Sequence, residues 1–215
     1  IQDLANRAEL SAPSISRFFA KIGLSGYHDF QHRLISELKE GNRSPVDVHG
    51  AGSAVDGGDL GDCVARATAQ MAVSGAAITE DQFERVCGLL GDTRHDVFIL
   101  GGRVTDTIAR YLSFHLRQAR GGVFHLQPDP ETWPEYLLRM RPGDVLFLID
   151  FRRYQASLES LARMASAERG ARVVLMTDKW ISPVARHAAE VMPVGIASGT
   201  VWDTYTPALA VAEAV

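Results

Sequence analysis

From Asp96 onward the chain alternates short apolar runs with amphipathic stretches, and this alternation constrains the fold more than any other feature. The runs VFIL, VFHL, VLFLI and VVLM are rich in β-branched and aromatic residues, and helical spacing fills the intervals between them. Such runs are apolar on both faces. Parallel strands joined by crossover helices are the arrangement that buries both. The pattern predicts strands over 97–100, 123–126, 145–149 and 173–176, with a weaker fifth over 191–196. Helices are expected over 105–120, 131–140, 155–169 and 183–189. The fold class is therefore α/β, a three-layer αβα, doubly wound, five-stranded parallel sheet. Its commonest order, 2-1-3-4-5, opens a ligand crevice between the first and third strands, beyond their carboxyl ends.

The residues at those two strand ends are distinctive. The first strand runs into GGRVTDT (101–107) and the third into DFRRYQ (150–155). Each leads into a helix, so backbone N–H groups and a positive helix end converge there. Gly101 and Gly102 permit a tight turn, and Thr105 offers a hydroxyl at the helix start. Arg103, Arg152 and Arg153 bring three guanidinium groups, and Tyr154 a phenol. Arginine grips a phosphate or carboxylate with two parallel hydrogen bonds. Gly101, Gly102, Arg103, Thr105, Arg152, Arg153 and Tyr154 are thus the candidate ligand-binding set for a small anionic metabolite. The alternative is that Arg152, Arg153 and Tyr154 pair with surface acids or with a second copy. Asp178, Trp180, Trp202, Asp203 and Tyr205 fall near the same edge, where Asp178 is placed to cap a turn and each aromatic to pack.

Catalytic signatures are missing. His125, Glu131 and Glu135 form no recognisable dyad, and the chain has no Ser/His/Asp order, metal-ligand spacing or P-loop. No catalytic residue, metal ligand or cofactor is assigned, and the chain is not expected to be an enzyme.

The first 22 residues, IQDLANRAELSAPSISRFFAKI, read as a small all-α helix-turn-helix. Leu4, Ala8 and Leu10 are the expected apolar contacts of the first helix and its turn, and Ile15 and Phe18 those of the second. Ser11 caps the second helix, and Pro13 is tolerated in its first turn. The outward face then carries Ser14, Ser16, Arg17 and Lys21. With Ser11, these are the candidate DNA-binding residues, of a size and chemistry that suit a major groove. Charge is balanced over residues 1–40, so a single unit lacks a basic footprint and two copies would serve better. Helices are expected over 1–9, 13–22 and 27–38. A Gly, Ser, Pro and Asp-rich linker follows over 41–58, then helices over 59–78 and 80–90. The expected domains are 1–40, the linker 41–58, and 59–215. A net charge of −4 argues against general polyanion binding. The two cysteines, Cys63 and Cys87, fit no redox or metal spacing and agree with a reducing cytoplasm. No apolar run is long enough to span a bilayer, and no signal peptide opens the chain. Helical patterns are cut at both ends, so the chain is expected to be part of a longer protein.

Taken together, these segments resemble the RpiR (MurR/RpiR) family of bacterial transcription regulators. LANRAELSAPSISRFFAKIGLSGYHDFQHRL resembles the family's DNA-binding segment. VFILGGRVTDTIARYL, GDVLFLIDFRRYQ and GARVVLMTDKWISPVARHAAEVMPV resemble strands and loops of its sugar isomerase (SIS) domain. The resemblance implies a cytoplasmic homodimer or higher homo-oligomer that binds double-stranded DNA and responds to a phosphosugar-like effector. It also implies a sugar-phosphate isomerase as the alternative. The loops depart from the family pattern. Arg103 stands where a second glycine is usual, Thr105 at the serine position, and Phe151 to Tyr154 where small hydroxyl residues are usual.

Overall fold

The computed structural model describes residues 2–42, 59–199 and 202–215, and the chain divides into two compact units, Ile1–Ser44 and Pro45–Val215. In the first unit, α1 (Gln2–Arg7), α2 (Ala12–Lys21) and α3 (Tyr27–Asn42) contribute to a small core. Ala5, Ile15 and Phe19 are buried, with Leu4, Ala12, Leu24, Tyr27 and Phe30 packed against them. Phe19 stacks on Phe30 with ring centroids 4.9 Å apart. The sequence reading placed Phe18 in this core, yet Phe18 is 54% exposed and Phe19 only 2%. At 100° per residue, Ile15 and Phe19 share a face four positions apart, which turns Phe18 onto the flank. Leu10 and Ala8 are likewise exposed, because α1 ends before them. There Glu9 takes a left-handed φ of 53°. The Leu10 N–H reaches back to the Ala5 carbonyl and the Glu9 N–H to that of Asn6. This is the Schellman stop. Gly23, with φ of 77°, ends α2 by the same two bonds.

The second unit begins with α4 (Leu60–Ala77) and α5 (Glu80–Gly91). The sheet follows: β1 (Val97–Gly101), β2 (Val123–His125), β3 (Val145–Ile149), β4 (Arg172–Thr177) and β5 (Glu190–Pro193). All pairings are parallel, in the order β2-β1-β3-β4-β5. The crossovers are α6 (Asp106–Ala119), α7 (Trp133–Arg139) and α8 (Ala156–Arg163), and α9 (Thr206–Ala214) closes the chain. Alternation along the strands makes two cores. Val97, Ile99, Phe147, Ile149, Val174 and Met176 pack with Val86, Leu112 and Ala208. Phe98, Leu100, Leu146, Leu148, Val173 and Leu175 face the other way, onto Trp133, Leu137 and Leu161. The expected α/β class and its three layers are therefore the observed ones.

Differences lie at the element ends. The helix expected over 155–169 passes from α8 into a π-helical turn, Met164–Glu168. The 183–189 segment is a 3-10 helix, Pro183–His187, capped by the Ser182 hydroxyl. β5 runs from Glu190 to Pro193, shorter than the expected 191–196 at its far end, with a last bond from the Val194 N–H to the Thr177 carbonyl at 2.7 Å. Of the expected linker, 41 and 42 belong to α3, and 43–58 lie outside the described residues.

Candidate functional site

Gly101 and Gly102 carry the chain from β1 into α6. A Cβ on Gly101 would fall 2.4 Å from the Asp106 nitrogen and the Thr105 carbonyl carbon, so no side chain fits. The Gly102 N–H donates to Thr105 Oγ1 (2.8 Å) and to the Ile149 carbonyl (3.0 Å). The Thr105 hydroxyl donates to that same carbonyl at 2.6 Å and is buried. Thr105 thus locks the turn to β3, and its hydroxyl is spent within the turn. The Arg103 N–H donates at 3.1 Å to Gln155 Oε1, which reaches across from the β3 end.

A buried carboxylate organises the β3 loop. Asp178, at the end of β4, is fully buried. Its Oδ2 accepts the Arg152 N–H, and its Oδ1 accepts the Tyr154 hydroxyl at 2.6 Å and the Trp180 N–H at 3.0 Å. Burial, then the Asp178 hydrogen bond, push the Tyr154 phenol well above its ordinary pKa, so it stays a donor. Tyr154 is a strut between two loops, its hydroxyl held by Asp178. Left-handed φ values at Arg153 (66°) and Ile181 (59°) flank this hub. Each costs about 1–3 kcal/mol and persists because surrounding bonds over-determine it.

Arg152 both lines the crevice and pairs with an acid. Its Nε and Nη2 hold both carboxylate oxygens of Asp203, with Nε 2.9 Å from Oδ2. Its guanidinium carbon lies 4.9 Å from the Trp180 ring centroid. Pairing with an acid is thus realised for Arg152, within the same chain. Arg103 and Arg153 are exposed.

These loops border two adjoining cavities. One, of about 410 Å³, is lined by Gly102, Arg103, Thr105, Asp150, Phe151, Arg152, Arg153, Gln155 and Tyr205. The other, of about 620 Å³, is lined by Gly101, Gly102, Arg103, Asp106, Thr107, Arg110, Trp133, Gln155 and Ser157 among others. Six of the seven candidate ligand residues therefore converge, and Tyr154 lines neither.

Sequence reasoning missed the supporting carboxylates. Asp106 Oδ1 lies 2.8 Å from His125 Nε2 and accepts the Gly101 N–H at 3.3 Å. Burial pushes the Asp106 carboxyl up. His125, by hydrogen bond and charge, then the Gly101 N–H and Arg110, outweigh that and hold it below the usual range. Asp150 is 1% exposed and accepts the Ser182 hydroxyl. Burial pushes its pKa up to about 6, against the hydrogen bonds from Ser182 and the Gln155 N–H. His125 at a strand end and Asp106 in a helix first turn was the available signal, given strand order β2-β1.

In the first unit, Ser11 Oγ accepts the Ser14 N–H at 3.3 Å, capping α2 as expected. Arg17 Nη2 donates to Ser14 Oγ at 3.4 Å, and Ser16 Oγ to the Ala12 carbonyl at 3.1 Å. Arg17 and Lys21 are exposed, three and seven residues beyond Ser14 and so on its side of α2. Among the described residues, no group of three or more His, Cys, Asp or Glu is placed to hold a metal, and no helix is long and apolar enough to cross a membrane.

Residues 92–215 match the SIS domain family. No curated protein matches the chain by sequence. Among solved structures, the chain resembles the sugar isomerase domain of an RpiR transcription factor from Sphaerobacter thermophilus. Identity there is 20% and the TM-score 0.64, over 70% of this chain and 83% of that one. It also resembles the Vibrio vulnificus NanR protein complexed with ManNAc-6P, at 18% identity and TM-score 0.61, over 98% of this chain and 75% of that one. An E. coli CFT073 protein in complex with A5P is similar at 17% identity and TM-score 0.55, over 73% of this chain and 87% of that one. At these identities the likeness is one of fold.

Proposed function

The chain belongs to the SIS domain family, and on that premise we propose that it is a transcription regulator of RpiR type, controlled by an anionic, phosphosugar-like metabolite. The observation that carries the reading is the arginine-lined crevice at the β1 and β3 ends, on a chain whose other compact unit is a capped three-helix module. Arg103 and Arg153 are exposed and line the cavity there. Residues 1–40 are the DNA-binding domain, 41–58 the linker, and 59–215 the effector-sensing and dimerising domain. Ser11, Ser14, Ser16, Arg17 and Lys21 face the DNA. A homodimer sets two copies of α2 at half-sites one or more helical turns apart. The protein works in the cytoplasm, without a catalytic residue or cofactor.

Selection from a random duplex library, followed by gel shift at low salt, tests the reading. A preferred sequence is expected, and Arg17→Ala costs about 1–3 kcal/mol on it if Arg17 reads a base edge. Uniform weakening over all sequences assigns Arg17 to phosphate instead. Absence of any sequence preference overturns the reading.

One observation favours a second reading, a sugar-phosphate isomerase. The Asp106–His125 pair beside the larger cavity has the makings of an oriented general base. Interconversion of aldose and ketose phosphates by the wild type, lost in His125→Gln, would decide for it.

A further inference from the structure

Arg152 is the guanidinium most firmly fixed at the β3 end, and an anion of the chain itself already sits on it. The Arg152 and Asp203 side chains pair through two bonds and keep only 16% and 10% exposure. Trp180 packs against the guanidinium, and Asp178 holds the Arg152 main chain. Arg152 nevertheless lines the cavity that Arg103 and Arg153 also line. Asp203 lies just ahead of α9. Between them, Tyr205 stacks on Phe151 of the β3 loop at 5.8 Å and 10°. Two clasps, Arg152–Asp203 and Phe151–Tyr205, therefore hold the start of α9 to the β3 end. α9 in turn packs on α4, the first described helix of its unit.

We propose that Asp203 is a built-in occupant of the anion seat on Arg152, that a phosphoryl dianion displaces it, and that its displacement frees the start of α9. This rests on the crevice being the effector site. A tethered carboxylate competes at a high effective concentration, so a free monocarboxylate exchanges like for like and loses. A phosphoryl group carries nearly two charges and three strong acceptor oxygens. It also meets Arg103 and Arg153 in the same cavity, where the Gln155 amide oxygen on the Arg103 N–H is a second internal acceptor to replace. The clasp thus selects for phosphate over carboxylate and converts binding into a change at α9.

The test titrates the full chain with inorganic phosphate, glucose 6-phosphate and gluconate by calorimetry, and follows hydrogen exchange over residues 202–214. Wild type should take at least one of the two phosphates and bind gluconate more weakly by roughly tenfold or more. The phosphate should raise exchange over 202–214. Asp203→Asn should bind that phosphate roughly tenfold tighter and show the raised exchange before any ligand is added. Glu84→Gln, the same charge change at an exposed position of α5, should match wild type. If Asp203→Asn does not hold its fold by circular dichroism, Asp203→Ser reads the same way. Equal or weaker phosphate binding by the Asp203 variant makes Asp203 an orienting partner of Arg152, which overturns the displacement and leaves the crevice reading standing. No phosphate binding by either form overturns both.

Discussion

Single carboxylates do the organising in the second unit, and Asp150 has the most measurable consequence. Its pKa is raised to about 6 in the fold, so the folded state binds its proton more tightly than the unfolded chain does. The stability this contributes is complete below the unfolded value of 3.8 and is lost as pH rises through about 6. The rise is worth about 3 kcal/mol. Asp150→Asn keeps an acceptor for Ser182 but cannot ionise. The variant is expected to unfold at a higher temperature than wild type at pH 7 to 8. The two should converge near pH 4, and melting curves across that range check it. Asp106 acts in the opposite sense. Its lowered pKa favours the fold above the unfolded value and loses that contribution as pH falls.

The helices of the first unit show how a shift of one residue changes what a side chain does. Phe19 is in the core and its neighbour Phe18 is not. Phe19→Ala should therefore cost about 3–5 kcal/mol and melt the unit, while Phe18→Ala should cost far less. Far-UV circular dichroism in a denaturant series separates the two. Glu9 occupies a left-handed stop where Gly23 does the equivalent job after α2. Glu9→Gly relieves the Cβ clash against a larger entropy loss and should gain about 0.5–1 kcal/mol.

Much of the second unit was legible in the sequence because strands buried on both faces leave long apolar runs, and tight strand-to-helix turns leave glycines. Gly101 was readable for that reason. The Phe18 assignment failed because positions three and four beyond Ile15 both lie near its face, and only packing against Phe30 of α3 selects Phe19. The candidate site is legible as a crevice, and less so in how its side chains are paired. Arg103 and Arg153 are where the strand ends put them. The partners of Arg152, Tyr154 and Asp106 come from residues 19 to 51 positions away, and no local pattern pairs them.

At the scale of the whole molecule, the proposed regulation depends on what passes between the two compact units. A ligand alters DNA affinity only to the extent that it binds one state of the protein better than another. On the proposed displacement, the Asp203 clasp is where the two states differ, inside the second unit and at the helix that packs on α4. From α4 the chain leads back through residues 43–58 to α3, so connectivity alone gives the route.

The most direct measurement is DNA affinity of the full chain for its selected duplex, read by fluorescence anisotropy with and without a panel of phosphorylated sugars. At least one phosphosugar should shift the midpoint in wild type, with the shift lost in the Arg152→Ala, Arg153→Ala double variant. A midpoint that no phosphosugar moves, or a shift that survives the double substitution, would contradict a sensor built at this crevice.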